Sequence, residues 1–283
     1  MPATITVLVA SYNYPERLHL CLEAIHRQIY QDYEIIVTDD GSDGDDCRKV
    51  AEDHEARWVT RQHDYDAAGN SLRNTPAVLN QGVALAQGDI VQILQRDHII
   101  APDFLLWLAR CWQGPNLVYG LTDHHRGLFT MDDLDSLLRN VHLPDHEVRY
   151  DKYLNQGRAT LVEFHRWQDT DGMDVAFHRA AWIPMDTNFI GQDHSCLDWT
   201  LRMQTMGMRF VLNPMMRLWH MEQEQLPNKD VWMKQIADSG TYMQGKYGDP
   251  DVMFNLVIRP LQDVSEMMRG VQQHFGVLPQ EGK

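Results

Sequence analysis

The most constraining feature of the chain is a change of hydrophobic period that recurs from its first residues onward. Thr4 to Ala10, TITVLVA, is β-branched and almost continuously apolar, as expected of a strand buried on both faces of a parallel sheet. From Pro15, the apolar positions Leu18, Cys21, Leu22, Ile25 and Ile29 recur at three and four residues, which predicts a core-facing helix with proline in its first turn. A second strand, Glu34 to Asp39, ends in the run DDGSDGDD, whose aspartates and glycines stop it and start another helix. The series continues with a short strand at Trp58 to Arg61, a helix opened by Thr75-Pro76, a strand at Asp89 to Leu94, a helix after Pro102 and a fifth strand at Leu117 to Leu121. Strands alternating with helices predict an α/β fold, a doubly wound and mostly parallel sheet flanked by helices, with ligands at the carboxyl ends of the strands.

From about Thr122 to Asp171 the periodicity weakens into charged and aromatic stretches, with a helix near Asp132 to Arg139, and reads as an insertion over the sheet. Order returns over Gly172 to His220. After Pro227 two helical segments follow, VWMKQIADSGTYMQGKY and VSEMMRGVQQHF. The organisation expected is a domain over residues 1–227, its nucleotide-binding half 1–121 and its acceptor half 122–227, with a helical C-terminal extension over 228–283 packed on it.

Composition narrows the partners. With 25 Lys+Arg against 40 Asp+Glu the formal charge is −15, which repels phosphate backbones and anionic lipid and disfavours nucleic acid and membrane surfaces. The four cysteines, Cys21, Cys47, Cys111 and Cys196, are scattered without a C-x-x-C pair and fit reduced thiols in a cytoplasmic protein. No segment has the length and apolarity of a membrane span or a signal peptide. The 14 histidines form no i, i+4 histidine pair on a convincing helix, and the 15 methionines fit core gap-filling.

Three stretches fall at strand ends. Ala10-Ser11-Tyr12-Asn13 offers a ring to stack on a base and an amide to fix its edge. Asp39-Asp40-Gly41-Ser42 offers carboxylates to a uracil imide or ribose hydroxyls, and Gln95-Arg96-Asp97-His98 a carboxylate to hold a divalent cation against a diphosphate. Each alone is ordinary: an aromatic after a strand is packing, and an aspartate run is a solvated turn. Their joint placement points to nucleotide-sugar binding.

These residues resemble the family 2 glycosyltransferases, inverting enzymes of the GT-A fold that use nucleotide sugars. VLVASYNYPERLHLCLEAIHRQIYQDYEIIVTDDGSDG matches the family's opening blocks without a gap, and LNQGVALAQGDIVQILQRDH is similar to its "R-N-x-G-I-x-x-A-x-G-E-Y-I-x-F-L-D-x-D-D". FIGQDHSCLDWTLRMQTMG resembles the acceptor-side block, and LWH and GKYG the closing segments. The resemblance implies nucleotide-sugar contacts at Ala10, Tyr12, Asn13, Asp40, Arg96 and Asp97, a metal (Mn²⁺ or Mg²⁺) held by Asp97 and His220, a UDP-linked donor, and a hydroxyl acceptor of glycan or small-molecule type.

Two departures stand out. Gln95 occupies the first Asp of the family's D-x-D, and Ser195-Cys196 occupies its Glu-Asp pair, whose Asp deprotonates the acceptor. Asp193 and Asp198 are the substitutes within reach in sequence, and the residues do not rank them. On a helix Asp198 points about 200° from Cys196, while Asp193 precedes that helix on a loop. Arg96 offers charge neutralisation without metal. The alternatives that follow are a transferase with a displaced base, or a degenerate protein that binds nucleotide or glycan without transfer. Trp199 reads either as packing or as a sugar platform.

Overall fold

The computed structural model describes residues 4–65, 67, 69, 71–111, 116–126, 128, 130–139, 174–190, 193–222 and 229–248. The alternating series of the sequence is present: β1 (Ile5–Ser11), α1 (Pro15–His26), β2 (Tyr33–Asp39), α2 (Asp46–Asp53), β3 (Arg57–Thr60), α3 (Thr75–Leu85) and β6 (Ile90–Gln95). A two-stranded ribbon of β4 (Asp64–Tyr65) and β5 (Ser71–Leu72) lies between β3 and α3, and β7 (His98–Ile100) follows β6. Then come α4 (Phe104–Cys111), β8 (Asn116–Arg126), α5 (Met131–Arg139), β9 (Val175–His178), α6 (Asp193–Thr205), β10 (Arg209–Glu222) and α7 (Lys229–Tyr247).

The main sheet has the order β3-β2-β1-β6-β9-β8-β10-β7. Strands β3, β2, β1 and β6 are parallel neighbours, as are β8 and β10. Strands β9 and β7 run against the rest. The register pairs Ser11 with Asp39 and Ala10 with Gln95, so the three predicted strand ends lie side by side at one edge of the sheet.

Both faces are covered. Leu18, Cys21, Leu22 and Ile25 of α1 pack with Phe104 and Leu108 of α4 on one face. On the other, Leu79 and Val83 of α3 join Phe177, Trp199, Met203 and Met243. The continuous hydrophobicity of β1, in which Ile5, Val7, Leu8 and Val9 are fully buried, follows from this double cover. Helix α3 is capped by Asn74, whose side chain accepts from the Ala77 N–H at 3.0 Å, with Pro76 in the first turn.

The expected end of the fifth strand at Leu121 is too early, because β8 runs on to Arg126. Its polar continuation is held by the ladder to β10, which pairs Leu218 with Thr122 and Glu222 with Arg126. Strand β10 accommodates Pro214 through a register shift between Leu212 and Arg217. The helix expected near Asp132 to Arg139 is α5, the remainder of the expected insertion falls almost wholly outside the described residues, and so does the second tail segment VSEMMRGVQQHF. No helix among the described residues is long and apolar enough to cross a membrane. Cys21, Cys47 and Cys196 are buried thiols outside any disulfide.

Candidate functional site

The end of β1 turns sharply through Asn13 (φ 55°) and Tyr14 (φ 58°), both in the left-handed region, a conformation that side chains other than glycine adopt only when their surroundings hold them there. Here the holding is visible. The Asn13 N–H donates to Ser42 Oγ at 2.6 Å, its amide nitrogen donates to Asp43 at 3.2 Å, and its side-chain oxygen accepts from the Asp43 N–H at 2.8 Å. Asn13 thus clips the β1 loop to the β2 loop.

The two aspartates at the end of β2 divide their work. Asp39 accepts from the Ser42 N–H at 2.6 Å, from the Ser42 hydroxyl and from Thr60 Oγ1 at 3.2 Å; it shapes the turn. Burial pushes its carboxyl above the ordinary range against these hydrogen bonds. Asp40, 2% exposed, receives Arg61 Nε on one oxygen and the Asn74 N–H at 2.8 Å on the other. Gly41 follows with φ 73°, and a Cβ there would collide with the His63 ring, so only glycine suits the position.

Tyr12 stands beside this loop with the Arg73 guanidinium 4.6 Å from its ring centroid and the His63 ring 5.4 Å away. Arg61, Arg73 and His63 come from the chain that follows β3. The strand-end rule reaches them, since β3 is itself a strand of the sheet, but no motif marks its end.

At the third end, β7 pairs antiparallel with β10 so that His98 sits directly opposite His220. Their rings meet edge to face at 5.2 Å. The Met221 N–H donates to the Asp97 carbonyl at 2.9 Å, and His220 Nε2 lies 3.6 Å from Asp97 Oδ2. One ligand atom each from Asp97, His98 and His220 falls within 4.8 Å of the others. Asp97 Oδ1 is buried and has no hydrogen-bond partner among the described residues. Burial acts to raise the Asp97 carboxyl, but His220, Arg96 and His98 outweigh it and hold it well below the usual carboxylate range. A buried, ionised carboxylate with an oxygen to spare and two imidazoles at hand fits a divalent cation. His98 was not among the expected ligands; its alternating place opposite His220 needed the β7 to β10 register, which no local pattern reveals.

Arg96 lies 5.1 Å from the Tyr14 ring centroid, with Arg17 5.9 Å from the same ring. The buried Arg96 Nε has no partner among the described residues. In a chain of net charge −15, these strand ends gather Arg17, Arg61, Arg73 and Arg96 around the carboxylates of Asp40 and Asp97. Ala10 lends backbone alone, its carbonyl accepting from the Arg96 N–H at 3.0 Å. Gln95 is buried, and its backbone joins the cluster, donating to His98 Nδ1 at 3.3 Å and accepting from the Cys21 thiol at 3.4 Å.

The acceptor-side block forms α6. Ser195 and Cys196 are buried there. Asp198 is 0% exposed; its Oδ2 accepts from Arg202 Nε at 2.9 Å, and its Oδ1 meets the Tyr247 hydroxyl at 2.6 Å and Lys246 Nζ at 2.7 Å. Both oxygens therefore carry partners, and those partners tie α6 to α7. Asp193 opens the helix, and its side chain lies outside the described ones. Trp199 is fully buried beside Phe177 and Trp182, with its N–H donated to the Ile183 carbonyl at 2.9 Å; of its two readings, packing is the one that the geometry matches.

A mostly parallel sheet covered by helices on both faces is the architecture of the GT-A transferases. The sequence profile named Glycosyl transferase family 2 matches residues 6–180, more than half of the chain, and the chain belongs to that family. Two glycosyltransferases of Streptococcus pneumoniae are similar to it: GlyG, 30% identical over 109 residues, covering 37% of this chain and 34% of GlyG, and GlyA, 32% identical over 105 residues, covering 36% and 14%. The match thus spans about a third or less of the length of these relatives. In fold, the chain resembles glucosyl-3-phosphoglycerate synthase from Mycobacterium tuberculosis, solved with Mg²⁺ and UDP, at a TM-score of 0.53, 16% identity and coverage of 88% of this chain and 80% of that one. It also resembles the mannosyltransferase PcManGT from Pyrobaculum calidifontis, solved with GDP-Man and Mn²⁺, at 0.52, 17% identity, 99% and 77%.

Proposed function

We propose that this chain is a glycosyltransferase that moves a sugar from a nucleoside diphosphate, UDP in the first instance, to the hydroxyl of a glycan or small-molecule acceptor with inversion, acting in the cytoplasm. The observation that carries the reading is the cluster of Asp97, His98 and His220, with its spare carboxylate oxygen, set at the same sheet edge as Tyr12, Asn13 and Asp40. The metal and nucleotide complexes of the structural neighbours support it.

In such a transfer the acceptor oxygen attacks the anomeric carbon in line, its proton leaves to a general base, and the bond to the diphosphate breaks with its electrons on the departing oxygen. Asp97, His98 and His220 would hold a divalent cation, which supplies charge neutralisation at the diphosphate when bound. Two imidazoles in the set favour Mn²⁺ over the oxygen-seeking Mg²⁺. The Arg96 guanidinium adds fixed positive charge needing no reorganisation as the leaving group develops. Tyr12, steadied by Arg73, packs against the base, and Asn13 and Asp40 order the loops that frame it.

Of the two candidate bases, Asp193 is favoured in this reading because both oxygens of Asp198 are already committed to Arg202, Tyr247 and Lys246. The test is thermal protection by UDP or GDP with Mn²⁺, followed by donor turnover over a panel of sugars; the absence of protection by either nucleotide overturns the site. A second reading, binding without transfer, is favoured by the buried Ser195 and Cys196 where the family keeps its Glu-Asp pair. Protection by UDP with no hydrolysis or transfer of any donor supports that reading, and turnover removes it.

A further inference from the structure

A second group of ligand-type side chains lies away from the strand-end site, on the helix layer. His19 and Glu23 stand one helical turn apart on α1, and His54 caps the C-terminus of α2 beside them. The facing nitrogens, His19 Nδ1 and His54 Nε2, are 2.9 Å apart. One ligand atom each from His19, Glu23 and His54 lies within 4.8 Å of the others. His26 completes the surroundings: its ring stacks on His54 with centroids 5.3 Å apart, and its Nε2 meets the His54 carbonyl at 3.0 Å.

We propose that His19, Glu23 and His54 form a zinc-class metal site that fastens α1 to α2. Three features carry this. The i, i+4 spacing of His19 and Glu23 puts both side chains on one face of the helix. Two imidazole nitrogens bound to one tetrahedral ion sit about 3.3 Å apart, given Zn–N bonds of about 2.0–2.1 Å, so the existing approach of 2.9 Å needs only a small opening. Arg27 Nη2 engages one carboxylate oxygen of Glu23 at 3.4 Å, an outer-shell contact that orients the carboxylate while its second oxygen serves the ion.

Without metal, one imidazole of the facing pair must donate and the other accept. Metal binding asks the donor ring to carry its proton on its other nitrogen, and no proton leaves the pair. The donor set, two imidazoles and one carboxylate, suits Zn²⁺, Ni²⁺ or Co²⁺ and disfavours Mg²⁺ and Ca²⁺. A fourth position remains for water. Helices α1 and α2 run back from the carboxyl edge of the sheet, so His54, at the far end of α2, lies toward the opposite edge.

The experiment is a zinc titration of the chelator-stripped full chain by calorimetry, with wild type, His54→Ala, His19→Gln and Glu23→Gln compared. The strand-end cluster offers zinc ligands too, so the quantity read is the change in the number of equivalents. His54→Ala and His19→Gln are expected to lose one equivalent each relative to wild type, and Glu23→Gln to bind that equivalent about tenfold more weakly. Thermal protection by UDP with Mn²⁺ is expected to be the same in all four. Zinc at a hundredfold excess over its Kd is expected to raise the wild-type Tm by about 5 °C more than that of His54→Ala. An unchanged number of equivalents in His19→Gln, or no saturable zinc binding by the wild type, overturns the site. Should His54→Ala fail to fold by circular dichroism, His19→Gln and Glu23→Gln decide alone.

Discussion

Asp97 and Asp198 both lie in blocks that resemble family motifs, and both are buried, yet their surroundings treat them in opposite ways. Asp198 is saturated: Arg202, Lys246 and Tyr247 occupy its two oxygens and bind α6 to α7. Asp97 is held ionised by His220, Arg96 and His98 against its own burial, and one oxygen is left without a partner among the described residues. Desolvating a charge is costly unless it is compensated. At Asp198 the protein compensates fully; at Asp97 it stops short, which is what a site that receives a ligand requires. Sequence position alone does not separate a latch from a ligand, but the bookkeeping of oxygens does.

The comparison can be broken most directly at Asp97. Replacing it by Asn is expected to lower kcat/KM by about 10³ or more with little change in Tm; a variant that transfers normally but melts early would make Asp97 a second latch. The reverse is expected of Asp198→Ala, measured by thermal melting. Leaving Arg202 without its anion and Lys246 with Asp186 alone is expected to cost about 3 kcal/mol, roughly 5 °C in Tm, while the folded fraction retains transfer within a few-fold. Loss of turnover at unchanged Tm would return Asp198 to the role of base.

Smaller effects sharpen the same contrast. Tyr12→Ala removes the ring on which Arg73 rests, and the donor KM is expected to rise about tenfold with kcat little changed; a fall in kcat at constant KM would place Tyr12 elsewhere in the cycle. The smallest effect concerns pH. Burial acts to raise Asp186, but Lys246, the Asn188 N–H and the Tyr242 hydroxyl bring it down to about 2 from 3.8. A depressed carboxyl stabilises the fold above its unfolded pKa, and that contribution is lost as pH falls from about 4 toward 2. In Lys246→Met the acid limb of Tm against pH is expected to be shallower than in wild type, and identical slopes would remove Lys246 from the latch.

The fold was largely legible in the sequence because strand and helix periods alternate cleanly from Thr4 to Cys111 and the ends of β1, β2 and β6 carry their own turn residues. Legibility failed where partners decide. The polar half of β8 gains its strand character from β10, more than eighty residues later. His98 joins the site through a register that depends on the same strand. Arg61 and Arg73 were within reach of the strand-end rule but lacked a motif to single them out, and the commitment of Asp198 rests on Tyr247 and Lys246, whose distance in sequence hides the pairing. The facing of His19 and His54 was likewise invisible, since each belongs to a different helix.

Strand β10 closes the molecule over its own beginning: Arg17, on the first helix, donates to the Met221 carbonyl across 204 residues of sequence, and His220 beside it completes the cluster of Asp97. The order of assembly during synthesis follows from this. The clips of Asn13 to Ser42 and Asp43, of Asp40 to Arg61 and Asn74, and of Tyr12 to Arg73 lie within the first hundred residues and can form while the rest of the chain is still being made. The third ligand of the candidate metal cluster arrives only with β10, late and at the entropic expense of a long loop closure. On the proposed function, a nascent or truncated chain would carry its nucleotide seat before the means to act on what it holds, and the competence to transfer sugar would arise in the same event that locks α1 to β10.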